Sequence, residues 1–110
     1  MSLAETEKEC AANAVAPRVS LADIEAAIAA RYDTTAGKAV GLTVPQHASL
    51  DLLSICILIM QNGFVIIGKS APASAANFNA ELGKKLAYED AIRQLWPLMG
   101  YALRDKLAKV

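Results

Sequence analysis

The chain is poor in the residues that most often carry chemistry. Its 110 residues include two cysteines and one histidine, with one Trp, three Tyr and two Phe. Zinc and iron sites need clustered His and Cys ligands, and His47 has neither a second histidine nor a nearby cysteine. It reads as a solvated loop residue, and no metal or other cofactor is expected. Cys10 lies near the N-terminus and Cys56 inside the most apolar run, where cysteine behaves as a small buried hydrophobe. Neither a disulfide nor a thiol nucleophile is expected from them. Charge of one sign is also missing: eleven Lys and Arg balance eleven Asp and Glu. No long-range field therefore draws in nucleic acid, anionic lipid or an acidic substrate. The longest apolar run, Ile55 to Met60, is too short to cross a bilayer, and no charged stretch leading into an apolar one marks export. A cytoplasmic protein without membrane contact is expected.

What is present is aliphatic and alanine-rich. Hydrophobic residues make up 55% of the chain, enough for one core in one domain. Met1 to Arg18 shows no apolar period, which predicts a flexible N-terminal arm over 1–19 and a single domain over 20–110. Ser20 and Asp23 have the spacing of a capping box, and Leu21, Ile24, Ala27 and Ile28 follow on one helical face. This predicts a helix from Leu21 to Arg31. Thr34-Thr-Ala-Gly37 ends it, and Ala39 to Val44 reads as a short edge strand closed by Pro45.

The centre of the chain is Ser54-Ile-Cys-Ile-Leu-Ile-Met-Gln-Asn-Gly-Phe-Val-Ile-Ile-Gly-Lys-Ser70. Two β-branched runs flank Asn62-Gly63, a dipeptide suited to the two φ > 0 positions of a tight hairpin turn. A two-residue turn there would set Ile55 opposite Ser70 and Cys56 opposite Lys69. One face would then hold Ile55, Ile57, Ile59, Phe64 and Ile66, the other Cys56, Leu58, Met60, Val65 and Ile67. Both are apolar, so helices or another subunit must supply a second layer. Leu50, Leu53, Ile57 and Met60 also recur at helical spacing over Ser49 to Gln61, but the alternating Ile55, Ile57 and Ile59 favour strand.

Beyond the loop from Ala71 to Ala76, Asn79 is placed to cap a helix running from Ala80 to Trp96. Glu81 sits near its positive end. Ala87, Tyr88, Ala91, Ile92 and Leu95 form one apolar stripe, and Leu82 and Leu86 a second. Pro97 interrupts the pattern and opens another helix, from Leu98 to Ala108. The architecture expected is α+β: a small antiparallel sheet built on a central hairpin (about 53–70) with a third strand, an N-terminal helix and two C-terminal helices. Unpaired edges and a second apolar face point to a homodimer.

Three segments are distinctive when taken together: Gln61-Asn-Gly-Phe-Val-Ile-Ile-Gly-Lys-Ser-Ala71, the helix start Asn77-Phe-Asn-Ala-Glu-Leu-Gly83, and Trp96-Pro-Leu-Met-Gly-Tyr101. Their order and wording resemble a family of small tailed-phage and prophage proteins named after phage gene products forty-nine and sixty-six, whose function is unassigned. The resemblance covers roughly Ser20 to Leu107. It departs from the family pattern at Asn79, where Asp is usual, and in a longer Ala-rich N-terminal arm. It implies a phage or prophage gene product acting in the bacterial cytoplasm, and it supplies no catalytic residues.

Among isolated candidates, Lys69 and Ser70 have the residue types of a lysine-activated serine, and Glu81 would complete a small hydrolase or transferase site. Adjacent strand residues point to opposite faces, which favours an exposed strand end over a catalytic pair. Gly83-Lys84-Lys85 lacks the upstream spacing of a phosphate loop. Lys84, Lys85, Arg93, Arg104, Lys106 and Lys109 offer a basic surface, with Tyr88 or Trp96 to stack on bases. Glu81, Glu89, Asp90 and Asp105 interleave with them, and Glu89 and Arg93 have ion-pair spacing, so a solvated face is the simpler reading. Trp96 and Tyr101 read as hinge packing about Pro97. The function expected is non-enzymatic: a homo-oligomeric binding module acting on a host or phage protein. Its candidate contact residues are Lys69, Ser70, Glu81, Lys84, Lys85, Tyr88 and Tyr101. The alternative is binding of nucleotide or nucleic acid on the basic helix faces.

Overall fold

The computed structural model describes residues 2–13, 16–41 and 48–109. His47, and Leu42 to Val44 of the expected edge strand, lie outside the described residues. The elements are α1 (Leu3–Asn13), α2 (Leu21–Ala26), β1 (Ile28–Thr35), α3 (Ala36–Ala39), β2 (Ser54–Met60), β3 (Val65–Ser70) and α4 (Ala80–Ala108). Short 3₁₀ turns at Ala48–Leu52 and Ala75–Asn77 lead into β2 and α4. The sheet has the order β1-β2-β3 and is antiparallel throughout. The α+β class expected from the sequence is the class observed.

The first helix of the body is shorter than its periodicity suggests. Ser20 Oγ accepts the Asp23 N–H (3.0 Å) and Asp23 Oδ2 accepts the Ser20 N–H (2.8 Å), so the capping box forms as read. The helix then stops at Ala26, and the residues expected to continue it to Arg31 enter β1. Alanine favours helix locally, yet the Ala27 carbonyl accepts the Gln61 N–H (2.8 Å) at the hairpin tip and draws the chain onto β2. Ala29 is the extra residue of a bulge, after which Ala30 to Thr35 pair regularly with Ile59 to Ser54. The third strand is therefore β1. Ala39, where the edge strand was expected to begin, closes the short helix α3, which Thr35 caps by accepting the Lys38 N–H.

The hairpin exists, but its turn differs from the expected one. The Met60 carbonyl accepts the Gly63 N–H (2.8 Å), and Met60 N–H donates to the Phe64 carbonyl (2.8 Å). Within the turn Gly63 alone has positive φ (87°), so Asn62 keeps an ordinary backbone. This is a three-residue loop with glycine in the left-handed position. Ile57 consequently pairs with Ile67 and Ile55 with Lys69, a shift of one residue on β3. A one-residue shift exchanges the two faces of a strand. Ile66 and Gly68 thus join Cys56, Leu58 and Met60 on the buried side, while Val65, Ile67 and Lys69 are exposed.

Helix α4 covers the buried face. Ala87, Ala91, Ile92 and Leu95 pack with Ile24, Cys56, Leu58, Met60 and Ile66 into one core, as the apolar stripe implies. Pro97 does not end this helix: the two helices expected to meet there are a single 29-residue element. Proline removes one N–H···O bond, to the carbonyl four residues back on Arg93. Both residues are exposed, so the freed carbonyl is on the solvent side of the helix and the break costs little. The Asn79 side chain accepts the Leu82 N–H (3.1 Å), the cap read from sequence.

The N-terminal segment also carries structure. Ser2 and Glu5 form a capping box of their own: Ser2 Oγ accepts the Glu5 N–H (3.1 Å) and Glu5 Oε2 accepts the Ser2 N–H (3.3 Å). Glu7 binds the Arg18 guanidinium and accepts the Leu21 N–H (2.9 Å), and Leu3 packs against the core.

Candidate interaction surfaces

With α4 on one side, no element among the described residues forms a layer on the other face of the sheet. The alternation that sends Cys56 and Leu58 inward leaves Ile55, Ile57 and Ile59 half-buried across the middle of this face. Tyr32, Val65 and Ile67 flank them at 58%, 51% and 54% exposure. Tyr32, Ile57 and Ile67 stand in one row across all three strands.

The two edges of the sheet differ. On β3, Lys69 N–H donates to Asp90 Oδ2 (2.9 Å), and Gln94 Nε2 donates to the Ile67 carbonyl (2.8 Å). Gln94 also reaches Asp90 Oδ2 (3.5 Å), so one turn of α4 closes that edge with two linked side chains. On β1, Arg31 and Asp33 project toward the helix side and pair with each other through Nε–Oδ2 (3.0 Å). The Arg31 guanidinium lies 4.2 Å from the centroid of the Tyr88 ring. Burial, then the nearby Glu25 charge, pushes the Tyr88 hydroxyl above its usual pKa.

Two hollows flank α4. An apolar groove of about 410 Å³ runs under the hairpin tip, bounded by Met60, Phe64, Leu95, Leu98, Met99 and Ala102. A smaller crevice of about 90 Å³ includes Ser54, Ser70, Phe78, Asn79, Leu82 and Leu86. Gly83 makes this second packing feasible, because a Cβ there would collide with the Ser54 hydroxyl. The Leu82 and Leu86 stripe therefore meets a strand-end crevice rather than a second helix.

The sequence candidates do not gather at one place. Ser70 joins the crevice, whereas Lys69 lies on the exposed face, so the lysine and serine are separated as strand alternation demands. Glu81, Lys84 and Lys85 are exposed on the first turns of α4. Tyr88 is half-buried with one ring face occupied by Arg31, which removes that face from base stacking. Tyr101 is 77% exposed, about 25 Å along the helix axis from Lys84. Glu89 and Arg93 make no ion pair among the described residues, while Asp105 and Lys109 do (3.4 Å). Burial of Cys56 raises its thiol pKa to about 11, with Asp33 adding to the effect. Among the described residues, no three His, Cys, Asp or Glu side chains gather as a metal site would require. No helix among them is long and apolar enough to cross a membrane.

Arg31, Tyr32 and Asp33 were not among the sequence candidates because their segment reads as a helix end. Tyr32-Asp-Thr-Thr35, rich in β-formers, is the signal that marks it as strand.

These features define a small α+β protein with one open sheet face. The chain belongs to the phage protein (N4 Gp49/phage Sf6 gene 66) family, whose model matches residues 19–107. Comparisons with curated proteins and with solved structures gave no match.

Proposed function

We propose that this phage accessory protein acts in the bacterial host cytoplasm as a homo-oligomeric binding module that docks on a host or phage protein and performs no chemistry itself. The observation that carries the reading is the open apolar sheet face, with Tyr32, Ile57 and Ile67 in one row. A contiguous exposed patch of this kind marks an interaction site in a monomeric chain.

Affinity capture with the intact chain tests the reading. A specific phage or host protein is retained by the wild type, lost with Ile67→Lys or Val65→Lys, and kept with Lys84→Ala/Lys85→Ala. Capture indifferent to the sheet-face variants overturns the docking surface. Capture that fails with the lysine variants, together with salt-sensitive retention of nucleic acid, moves the function to the basic helix faces.

A further inference from the structure

We propose that two copies of this chain join along the outer edge of β1, antiparallel about a two-fold axis through Tyr32, to form one continuous six-stranded sheet. This rests on the homo-oligomeric reading above and specifies the surface that makes the oligomer.

The first ground is the inequality of the two edges. Gln61 N–H bonds to the Ala27 carbonyl and Ala36 N–H to the Leu53 carbonyl, so the odd-numbered residues of β2 turn their backbone groups toward β1. Because Tyr32 pairs with Ile57 and Ala30 with Ile59, the even-numbered residues of β1 face inward. The N–H and C=O groups of Arg31 and Asp33 therefore point away from the sheet. They have no hydrogen-bond partner among the described residues. The β3 edge offers the same kind of groups, but Asp90 takes the Lys69 N–H and Gln94 the Ile67 carbonyl, so α4 side chains obstruct that edge. An edge that is regular, bare and exposed is a template for another strand. Among the described residues, β1 is the edge on which no side chain caps these outward groups.

The second ground is charge, and it selects the register. Outward-facing residues of two antiparallel copies can meet in three central ways: Arg31 opposite the partner's Arg31, Asp33 opposite the partner's Asp33, or Arg31 opposite the partner's Asp33. The first two set like charges face to face, which is unfavourable across a strand pair. The third forms two opposite-charge contacts related by symmetry. It turns the Arg31–Asp33 pair of one chain into a four-membered network on the helix side of the sheet. The same register brings Tyr32 against the partner's Tyr32 in a non-hydrogen-bonded pair, with Cα atoms about 4.5 Å apart. Ala30 then stands opposite the partner's Thr34.

A two-fold axis perpendicular to the sheet keeps both α4 helices on one side. The two open apolar faces become continuous on the other. The docking surface doubles without either copy covering it.

Sedimentation equilibrium and light scattering test the pairing with the intact chain. The wild type is expected to be a dimer at micromolar concentration. Arg31→Asp alone and Asp33→Arg alone each place like charges across both contacts, and each is expected to raise the dimer dissociation constant at least tenfold. An equimolar mixture of these two variants restores a dimer, since every contact then joins opposite charges. This restoration also shows that both variants fold. In a Cys10→Ser background, Tyr32→Cys is expected to give a disulfide-linked dimer on mild oxidation, because the two positions meet at the axis.

Single variants that dimerise like the wild type, or a mixture that stays monomeric, overturn the edge pairing. A wild-type dimer broken by Ile67→Lys but untouched by charge reversal overturns it too, moving the contact to the open face and leaving self-association intact. A wild-type monomer overturns both the pairing and the homo-oligomeric reading. Capture of a phage or host protein on the β1 edge of a monomeric chain does the same, while the docking reading survives.

Discussion

Gly68 and Ala91 hold β3 and α4 closer than any larger pair would permit. A Cβ built on Gly68 would lie 2.6 Å from the Ala91 N and 2.8 Å from the Ala91 Cβ, and it would also meet the Ala87 carbonyl. Because these are mainly backbone atoms of a helix, the neighbour cannot rotate away. Gly68→Ala is expected to cost about 3 kcal/mol, at the upper end of overpacking, as α4 is forced off the sheet. Gly100 offers the contrast, with nothing within 4 Å of its Cβ position on the same helix as Ala91. Gly100→Ala is expected to add about 0.5–1 kcal/mol through helix propensity. Urea denaturation of the two variants checks both signs.

The loop at Asn62-Gly63 separates two turn types by mutation. A two-residue turn with positive φ at both positions would make Asn62 and Gly63 comparably sensitive. In the structure only Gly63 is left-handed, and Asn62 contributes an Oδ1 acceptor to the Phe64 N–H (3.0 Å). Gly63→Ala is expected to cost about 1–2 kcal/mol. Asn62→Ala should cost about 0.5 kcal/mol, the value of one exposed hydrogen bond. Equal losses in equilibrium unfolding would contradict the three-residue loop.

That loop also shows where the sequence was legible and where it was not. Alternation of Ile55, Ile57 and Ile59 and the Asn-Gly signal located the hairpin, and the caps at Ser20 and Asn79 located two helix starts, because each is a local interaction with its own residues. The register could not be read, since Asn-Gly suits both loop lengths and both strand faces are apolar. β1 was hidden for a different reason. Ala26-Ala-Ile-Ala-Ala30 is a helical sequence by propensity, and contacts with β2 and the hairpin tip, distant in the chain, override it, beginning with the bond between Ala27 and Gln61. The candidate surfaces inherit these errors. Reading β3 one residue out of register placed Ile66 with Ile57, when Ile67 is its neighbour on the open face. Reading β1 as helix left the Arg31–Asp33 edge invisible, although Tyr88, whose ring Arg31 covers in the structure, stood among the candidate contact residues.

The two cysteines should separate cleanly by reactivity. Cys56 is wholly buried in the core, and its thiol pKa is raised to about 11, chiefly by burial, whereas Cys10 is exposed. Thiolate is the reacting species. At pH 8, a water-soluble alkylating reagent is expected to label only Cys10 in the folded protein and both thiols in denaturant. Cys10→Ser should leave the native protein unlabelled. Rapid native labelling of Cys56 would mean that α4 opens from the sheet far more often than the packing of Leu58, Ile92 and Leu95 implies.

Docking of α1 is set by one carboxylate, and acid should weaken it. Glu7 binds Arg18 and accepts the Leu21 N–H, and these bonds lower its pKa from the ordinary 4.5, the Arg18 bond most. A folded-state value below the unfolded one means that the contribution is present above pH 4.5. It is lost as pH falls through the depressed value. Asp23 is also lowered, by its own cap on Ser20, and so titrates in the same direction close by. Glu7→Gln separates the two groups. In the wild type, the Leu21 amide resonance is expected to move as pH is taken from 7 to 3, with a midpoint below 4.5. In Glu7→Gln that movement should vanish, while the Ser20 amide still responds through its bond to the Asp23 carboxylate. A Leu21 amide that titrates unchanged in the variant would show that it reports Asp23 and not a bond to Glu7.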